Sequence, residues 1–456
     1  MMTHASFPVW FGELHQRLNA MADALPQRVT IWQERPFTVT PEEMGYAGGL
    51  ATEAIQAAID RAADQGGGTV LLAQGDYVTG TLVLRSNVRL MVAERCRLLA
   101  STDLKDFPEH ICRRVTVQDT HMGMNQALIF AEGCENISLC GPGEIDGRGT
   151  PGRPFLIRLV DCKGVHVHDI TLRDAACWME NYFNCDQVLL ERITVRNQAN
   201  YNNDGIDIDG CRDVIIRGCD VRSGDDALCF KAASERPTER VLVENCRLYS
   251  SCNALKVGTD TQSDFRQVLV RSCQIGGVDE DARGIKHPCS DSGISLEMVD
   301  GGTLEDFFIT DIDIRRAWSP IFMRLEDRGR VRDEQPKPPV GTLRRVVIEH
   351  VTGCDNGPRG SYMTGVPEKC IEDVVLHDVH LGQLPSVKPV TIGADFDEMR
   401  GIYPDAHMID DIGDAPAHAL WARHVRGLRL IDYAVQPESA DPRPAYLFED
   451  AEYTQA

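Results

Sequence analysis

Short apolar runs recur along the chain from Thr69 onward, each bounded by acidic, basic or asparagine residues and followed by a second short run. The runs are rich in valine and isoleucine, which favours strands over helices. Four consecutive runs begin at Val188, Val214, Val241 and Val268, which are 26, 27 and 27 residues apart. Short strands repeating at this period indicate a solenoid, and turns between them indicate an all-β, single-stranded parallel β-helix. A propeller, the competing repeat fold, needs blades of about 40 residues with four strands each.

An amphipathic helix precedes the strands, over residues 52–65, and glycines 66–68 end it. One face of this helix carries four apolar residues: Ala54, Ile55, Ala58 and Ile59. We expect it to cap the open N-terminal end of the solenoid. Residues 1–46 look like an N-terminal extension with one helix over 11–24 and a strand-like stretch over 28–33.

The remainder, residues 47–456, is predicted to be one β-helical catalytic domain. Two repeat intervals, from Val268 to Phe307 and from Phe307 to Val346, widen to 39 residues. Insertions in a solenoid must leave as loops, often on the binding face. We therefore expect loop insertions near 277–292, 324–340 and 386–423; the last either covers one end of a cleft or caps the C-terminal end.

Composition narrows the range of partners. The chain has 47 basic and 69 acidic side chains, a net charge of −22, so we expect neither nucleic acid nor an anionic membrane as a partner. We see no signal peptide and no apolar run long enough to cross a bilayer, so the expected location is cytoplasmic. The oligomeric state stays open.

The 16 cysteines include no Cys-x-x-Cys pair, so we expect neither a metal site nor a disulfide framework. Five of them follow strand-like phrases and are expected to be small, mostly buried residues: Cys162, Cys185, Cys219, Cys246 and Cys273.

Two acidic clusters carry the candidate chemistry. Asp204 lies in Asn-Asp-Gly, and Asp225 and Asp226 lie in Gly-Asp-Asp, with a strand-like stretch between them. Neighbouring strands lie about 4.8 Å apart, so carboxyl groups one coil apart can approach the ~6.5–9.5 Å separation of inverting glycosidases. One protonated carboxyl group would donate to the leaving oxygen while the others activate water. The alternative is that Asp and Asn only punctuate turns.

The repeats, together with NNDGID (202–207) and GDDALCFK (224–231), resemble glycoside hydrolase family 28, the polygalacturonase and rhamnogalacturonan hydrolase family. The resemblance covers most of the chain from about residue 47. It implies a right-handed parallel β-helix that hydrolyses a pectin-type oligosaccharide without a metal or organic cofactor. It also implies that Asp225 is the general acid and that Asp204 and Asp226 position and deprotonate water.

Two other motifs of that family are altered. Asn253 replaces the histidine of Gly-His-Gly, and Ser295-Leu296-Glu297 stands where the family carries Arg-Ile-Lys, which grips the galacturonate carboxylate. A carboxylate there would repel an acidic sugar, so we expect a hydrolase with a neutral or rhamnose-containing substrate rather than a plain polygalacturonase. The expected internal location favours oligosaccharides that are already imported, so we expect an exo-acting enzyme whose cleft is closed by the long insertions. Two alternatives remain, a β-helical polysaccharide lyase or epimerase and a non-catalytic carbohydrate-binding β-helix.

The predicted substrate-binding residues combine the altered motifs with nearby cations and one aromatic residue. They are Asn203, Lys231, Asn253, Lys256, His287, Glu297, Arg324 and Trp178. Other aromatic residues on which a sugar ring could stack are Tyr182, Tyr201, Trp318 and Tyr403. Whether Glu297 contacts substrate or pairs with Lys256 or Arg324 across coils stays open at this stage.

Overall fold

The computed structural model describes residues 7–29, 32–109, 125–149, 152–278, 289–330, 336–388, 403–410 and 413–456. It divides into an N-terminal unit, Ala24–Asp226, and a C-terminal unit, Ala227–Ala456 together with Met1–Asp23. Both units are built from parallel strands stacked coil upon coil, as the repeat period predicts. No helix among the described residues is long and apolar enough to cross a membrane.

The N-terminal unit contains a helix, α2 (Thr52–Asp64), and short 3-10 helices at Glu42–Met44 and Leu104–Asp106. Its strands, over the described residues, are β1 (Thr38–Val39), β2 (Gly68–Leu72), β3 (Asp76–Thr79), β4 (Leu82–Val83), β5 (Val88–Val92), β6 (Arg97–Ala100), β7 (Ala127–Glu132), β8 (Glu135–Cys140), β9 (Glu144–Asp146), β10 (Phe155–Val160), β11 (Lys163–His168), β12 (Thr171–Arg173), β13 (Glu180–Phe183), β14 (Asp186–Glu191), β15 (Thr194–Asn197), β16 (Ile206–Asp209), β17 (Arg212–Arg217) and β18 (Asp220–Ser223).

The C-terminal unit has longer strands and, among its described residues, a short 3-10 helix at Ala406–Ile409. Its strands are β19 (Leu228–Ala232), β20 (Thr238–Glu244), β21 (Arg247–Ser250), β22 (Asn253–Thr261), β23 (Phe265–Gly277), β24 (Ser290–Met298), β25 (Thr303–Arg315), β26 (Ala317–Leu325), β27 (Thr342–Asn356), β28 (Ser361–Thr364), β29 (Ile371–Gln383), β30 (Leu420–Pro437) and β31 (Tyr446–Gln455). The first helix of the chain, α1, runs over Val9–Arg28. Its residues up to Asp23 belong to this unit.

The predicted repeat anchors are register partners within each unit. Val188 pairs with Val214, and Val268 pairs with Phe307, which in turn pairs with Val346. All five side chains are buried in the interior of a coil. The two 39-residue intervals therefore leave the register of the strands intact, because the added residues lie outside the ladder.

The residue before each anchor adopts a left-handed backbone conformation inside its strand and bends the chain there. Gln187 and Asp213 have φ values of 58° and 56° in the N-terminal unit, and Gln267 and Asp306 have 58° and 62° in the C-terminal unit. Non-glycine residues rarely adopt this conformation. Its recurrence shows that the corner of the coil is set by the ladder on either side of it rather than by glycine.

Helix α2 covers the start of the N-terminal β-helix. It buries Ile55, Ala58 and Ile59, as predicted, while Ala54 is only half-buried and Ala62 completes the buried face. The Gln56 amide donates to the Val83 carbonyl at 3.0 Å and accepts from the Val83 N–H at 2.8 Å. The helix thereby covers apolar side chains and also satisfies backbone groups of the short strand β4.

Other local predictions have mixed outcomes. The helix predicted over 11–24 is present but longer, and the strand-like reading of 28–33 is wrong because Arg28 ends α1 and residues 32–33 form no strand. The five cysteines expected to be small interior residues are all buried. Parts of the insertions predicted near 277–292, 324–340 and 386–423 lie outside the described residues, and the single domain over 47–456 stays a prediction.

We expect Phe307→Ala to lower the free energy of unfolding of the C-terminal β-helix by about 3–5 kcal/mol, because it leaves a cavity between two register partners. Denaturant titration followed by circular dichroism measures the change. The control, Val9→Ala, alters a side chain that is 85% exposed, and its effect should stay within about 0.5 kcal/mol. Equal effects of the two substitutions would contradict the assignment of Phe307 to the interior.

Candidate active site

The two predicted acidic turns lie side by side within the N-terminal unit. Asp204 precedes β16, and Asp225 and Asp226 follow β18. The Asp225 N–H donates to the Asn203 carbonyl at 3.2 Å, and the Gly205 N–H donates to the Asp226 carbonyl at 2.8 Å. These two hydrogen bonds bracket Asp204, so the three carboxyl groups belong to adjacent turns. The structure thus brings together the three predicted catalytic residues.

Asn203 holds the first turn in place. It is fully buried, and its amide donates to the carbonyls of Ala175 at 3.0 Å and Cys177 at 2.8 Å. Its amide oxygen accepts from the N–H of Asn200. The sequence predicts that Asn203 binds substrate, but these contacts point to a positioning role, because the buried amide is engaged with the backbone on both of its atoms.

Asp225 and Asp226 form a close pair of carboxyl groups. One carboxylate oxygen of each lies within 4.8 Å of the other. The Asp226 N–H donates to Asp225 Oδ1 at 2.9 Å, and the Asn202 amide donates to Asp225 Oδ2 at 3.3 Å. Asp225 is half-buried, whereas Asp204 and Asp226 are buried. The two carboxyl groups are thus close enough to divide the tasks of acid and base in one reaction.

A cation and an exposed aromatic ring adjoin this group. Arg153 donates to Asn202 Oδ1 at 3.0 Å, and its guanidinium carbon lies 4.7 Å from the centre of the Tyr201 ring. Tyr201 is 74% exposed, so one face of its ring is accessible to a sugar. Sequence reasoning missed Arg153, because an arginine in a Gly/Pro-rich stretch carries no periodic signal.

An unpredicted acid lies inside the N-terminal coil. Glu180 pairs in register with Ile206 and donates its N–H to the Gly205 carbonyl at 3.2 Å. Its carboxyl group accepts a hydrogen bond from the Tyr182 hydroxyl. Burial, with a smaller contribution from the charge of Asp207, raises the pKa of Glu180 to about 8. The coil beneath Asp204 therefore contains a carboxyl group that stays protonated at neutral pH.

The aromatic residues predicted to stack on a sugar differ in how far their side chains are exposed to solvent. Trp178 is 7% exposed and packs edge-on against Phe155 at 5.6 Å, and Tyr182 is fully buried beside Glu180. These two therefore belong to the interior, and the prediction that Trp178 contacts substrate receives no support from its position. Tyr201 and Tyr403 are exposed. Trp318 on β26 is half-buried.

Most of the other predicted residues lie in a polar group of the C-terminal unit. Lys256 donates to Asp405 Oδ2 at 2.8 Å, and the Asn253 amide donates to the same oxygen at 3.2 Å. Ser292 donates to Asn253 Oδ1 at 2.6 Å. Glu297 Oε2 lies 3.8 Å from the ammonium nitrogen of Lys256. We call Asn253, Lys256, Glu297 and Asp405 the buried polar group.

Sequence reasoning missed Asp405 because its segment has no repeat. Burial by itself would raise the pKa of the Asp405 carboxyl group, but the attraction of Lys256 outweighs burial and holds this pKa below its usual range. Asp405, which lies in an irregular segment, thus supplies the counter-charge for Lys256, a buried residue of strand β22. The only signal of its importance was the loop insertion predicted near 386–423.

Glu297 makes two contacts within the C-terminal unit. Its carboxylate accepts from Ser295 Oγ at 2.5 Å and faces Lys256. Arg324 is its register partner on β26, but the guanidinium of Arg324 binds Glu326 at 2.9 Å and Thr364 at 2.9 Å. Both Glu297 and Arg324 are buried, so the prediction that Arg324 is a cation available to substrate is not supported.

Two predicted residues remain. Lys231 is buried and donates to the Cys229 sulfur at 3.1 Å. His287 lies outside the described residues. The C-terminal unit also has two groups whose ligand atoms are close enough to hold a metal ion, Glu349 with His350 and His377, and Asp378 with His380 and Asp432. They lie on β27, β29 and β30, apart from the predicted site residues.

Comparison with known proteins assigns the family. The model of glycosyl hydrolases family 28 matches residues 110–387, more than half of the chain. The chain belongs to this family. It is thus an O-glycosyl hydrolase, and the predicted family and enzyme class are confirmed.

Individual relatives are distant. A Vitis vinifera protein named "Probable polygalacturonase" is 23% identical over 363 residues, covering 72% of this chain and 71% of that protein. The Emericella nidulans "Exopolygalacturonase X-1" is 24% identical over 285 residues, covering 56% and 62%. The crystal structure of an exopolygalacturonase from Thermotoga maritima shares the fold with a TM-score of 0.67 at 19% identity, covering 80% and 91%. The right-handed parallel β-helix is confirmed.

We expect Glu180→Gln to flatten the pH dependence of stability. A folded-state pKa of about 8, against an ordinary value of 4.5, stabilises the fold below the ordinary pKa, and this stabilisation is lost as the pH rises through the folded value. The loss is on the order of 1.4 kcal/mol for each pH unit that separates the folded pKa from the ordinary one.

Denaturant midpoints of wild type and variant at pH 5 and pH 8 measure this effect. The wild type should lose more stability over this interval than Glu180→Gln, which cannot ionise. Glu135→Gln, at an exposed position on β8, is the matched control and should behave as wild type. A wild-type loss that persists undiminished in Glu180→Gln would show that other groups cause it.

Proposed function

We propose that this family 28 enzyme is an exo-acting, inverting hydrolase of a pectin-type oligosaccharide and that Asp204, Asp225 and Asp226 carry the reaction. The observation that carries this proposal is the pair of backbone hydrogen bonds that places the two acidic turns side by side. A role in forming turns would explain each aspartate taken singly. They do not explain three carboxyl groups gathered with an exposed aromatic ring and an arginine beside them.

Asp225 is the general acid in this proposal. It forms a close pair with Asp226, and Asp225 is the more accessible member of this pair. The proton passes to the glycosidic oxygen as the bond to the anomeric carbon breaks. Asp204 and Asp226 then accept the proton of the attacking water, as in other inverting glycosidases.

Tyr201 and Arg153 supply substrate contacts near the acids. The exposed ring of Tyr201 stacks on one face of a sugar, and Arg153 restrains both that ring and Asn202. The Asn202 amide also donates to Asp225, so hydrogen bonds through Asn202 connect Arg153 to the general acid. A cation–π contact connects Arg153 to the ring of Tyr201.

The buried polar group supports a preference for a neutral sugar unit. Its described members bring two carboxyl groups, Glu297 and Asp405, to one ammonium group, Lys256. Where the family pattern has cations to grip galacturonate, this chain has an excess of negative charge, which disfavours a third carboxylate. A rhamnose-containing pectic unit fits this better than homogalacturonan does. The exo mode draws support from the name of the Emericella nidulans relative.

We expect Asp225→Asn to lower kcat by about 10²–10⁴-fold, because an amide cannot donate a proton to the leaving oxygen. Release of reducing sugar from homogalacturonan, rhamnogalacturonan fragments and neutral aryl glycosides provides the measurement. Asp161→Asn is the matched control, since Asp161 occupies a left-handed turn position in the same unit with a φ of 49°. If Asp225→Asn hydrolysed the substrate as fast as wild type does, Asp225 would have no part in the mechanism.

We expect the first product to carry the opposite anomeric configuration to the bond cleaved and to be a single terminal unit. Proton nuclear magnetic resonance of the earliest product, taken before mutarotation, reports the configuration. Chromatography of the same sample reports its length. Retention would contradict the inverting mechanism, and a ladder of intermediate oligomers would contradict the exo mode.

A further inference from the structure

We propose that Lys256 and Asn253 form a carboxylate-binding site which the chain fills with its own Asp405, and that Asp405 thereby determines specificity by excluding a uronate carboxylate from this site. The proposal rests on the hydrolase function above, because it concerns which sugar the enzyme accepts. It assigns a role to a residue that lies in none of the repeats and in none of the motifs that carry the family resemblance.

The contacts of Asp405 are those of a bound carboxylate ligand. Oδ2 accepts from Lys256 Nζ at 2.8 Å and from the Asn253 amide at 3.2 Å. Oδ1 accepts from the Ala406 N–H at 2.7 Å. One carboxylate oxygen of Asp405 thus accepts from a cation and an amide, and the other accepts from a backbone N–H. Hydrogen bonds to an ionised carboxylate are charge-assisted and therefore strong. Strand β22 supplies both side chains that grip Oδ2.

The site is closed around this ligand. Lys256, Asp405 and Asn253 are 2%, 1% and 0% exposed. Tyr403 lies over the lysine, with its ring centre 5.8 Å from Nζ and its hydroxyl 3.0 Å from Thr259 Oγ1. The other side of the segment is held by the Tyr362 hydroxyl, which donates to the Ala406 carbonyl at 2.7 Å. A sugar carboxylate can occupy the position only if the Asp405 carboxylate is absent.

Charge reinforces the exclusion. Glu297 Oε2 is 3.8 Å from the same ammonium nitrogen, so Lys256 already faces two carboxyl groups. A third carboxylate at a few ångströms would meet net repulsion, and this repulsion is strong where water is excluded. Removing the carboxylate of Asp405 leaves the Lys256 ammonium with Glu297 at 3.8 Å. It also leaves the Asn253 amide and the Ala406 N–H without the oxygen atoms that they bind, which opens one position of carboxylate size beside the cation.

A purely structural role for Asp405 makes a different prediction. If the ion pair only anchored residues 403–410, Asp405→Ala would destabilise the protein, and no small anion would restore it specifically. If the site is built for a carboxylate, the cavity left by the substitution has the size and charge preference of formate. The same variant would then favour an acidic over a neutral sugar.

The test uses the full chain in three variants, Asp405→Ala, Asp405→Asn and the double variant Asp405→Ala with Lys256→Met. Thermal unfolding is followed with formate, with formamide as its neutral counterpart, and with chloride at equal ionic strength. We expect formate alone to raise the melting temperature of Asp405→Ala saturably. Asp405→Asn, whose amide fills the same space, and the double variant, which lacks the cation, should show no such gain.

Calorimetric titration with galacturonic acid and galactose measures specificity without requiring turnover. The ratio of their affinities should shift towards the acid by about tenfold in Asp405→Ala, the worth of one charge-assisted hydrogen bond. The double variant should lose the shift. No formate rescue and an unchanged ratio would overturn the inference. Because neither measurement needs hydrolysis, its failure is distinct from failure of the proposed function, which shows as lack of turnover by wild type.

Discussion

The ladder of parallel hydrogen bonds between successive coils is the constraint on which everything else in this protein depends. Each strand residue has a register partner one coil away, so Val188 lies beside Val214, and Phe307 lies between Val268 and Val346. Apolar side chains in these columns bury one another, and one coil cannot shift by a residue without exposing them. Loops of any length can leave the ladder between strands, but they cannot change its register.

The same constraint places charged turns next to one another. The hydrogen bonds that join the turn of Asp204 to the turn of Asp225 and Asp226 continue the ladder beyond the strand ends. Three acids so close together would repel one another in an isolated peptide. Here Asn203 locks one turn through two backbone carbonyls, and the Asn202 amide stabilises Asp225. These hydrogen bonds hold the two turns together against the repulsion between like charges.

In the proposed function, the buried polar group accounts for the preference for a neutral sugar unit. The family resemblance leads one to expect cations that bind an acidic sugar, but this chain carries Glu297 at that place. The nearby cation, Lys256, forms an ion pair with Asp405. A buried ammonium must have a counter-charge, and the protein supplies one from an irregular segment instead of leaving it to the substrate.

The β-helix, the register of its anchors, the capping face of α2 and the proximity of the three aspartates could all be predicted from the sequence. The capping face follows from the helical period of apolar residues, and the other three follow from the recurrence of short strands, because local periodicity sets side-chain direction and coil height. The burial of Trp178 and Arg324, the position of Glu180 inside the coil and the pairing of Lys256 with Asp405 became visible only in the folded chain. That last pair is separated by 149 residues, and the segment of Asp405 has no repeat, so no periodicity relates its position to any strand. Contacts of this kind depend on how an irregular chain folds back onto the ladder, which local pattern does not encode.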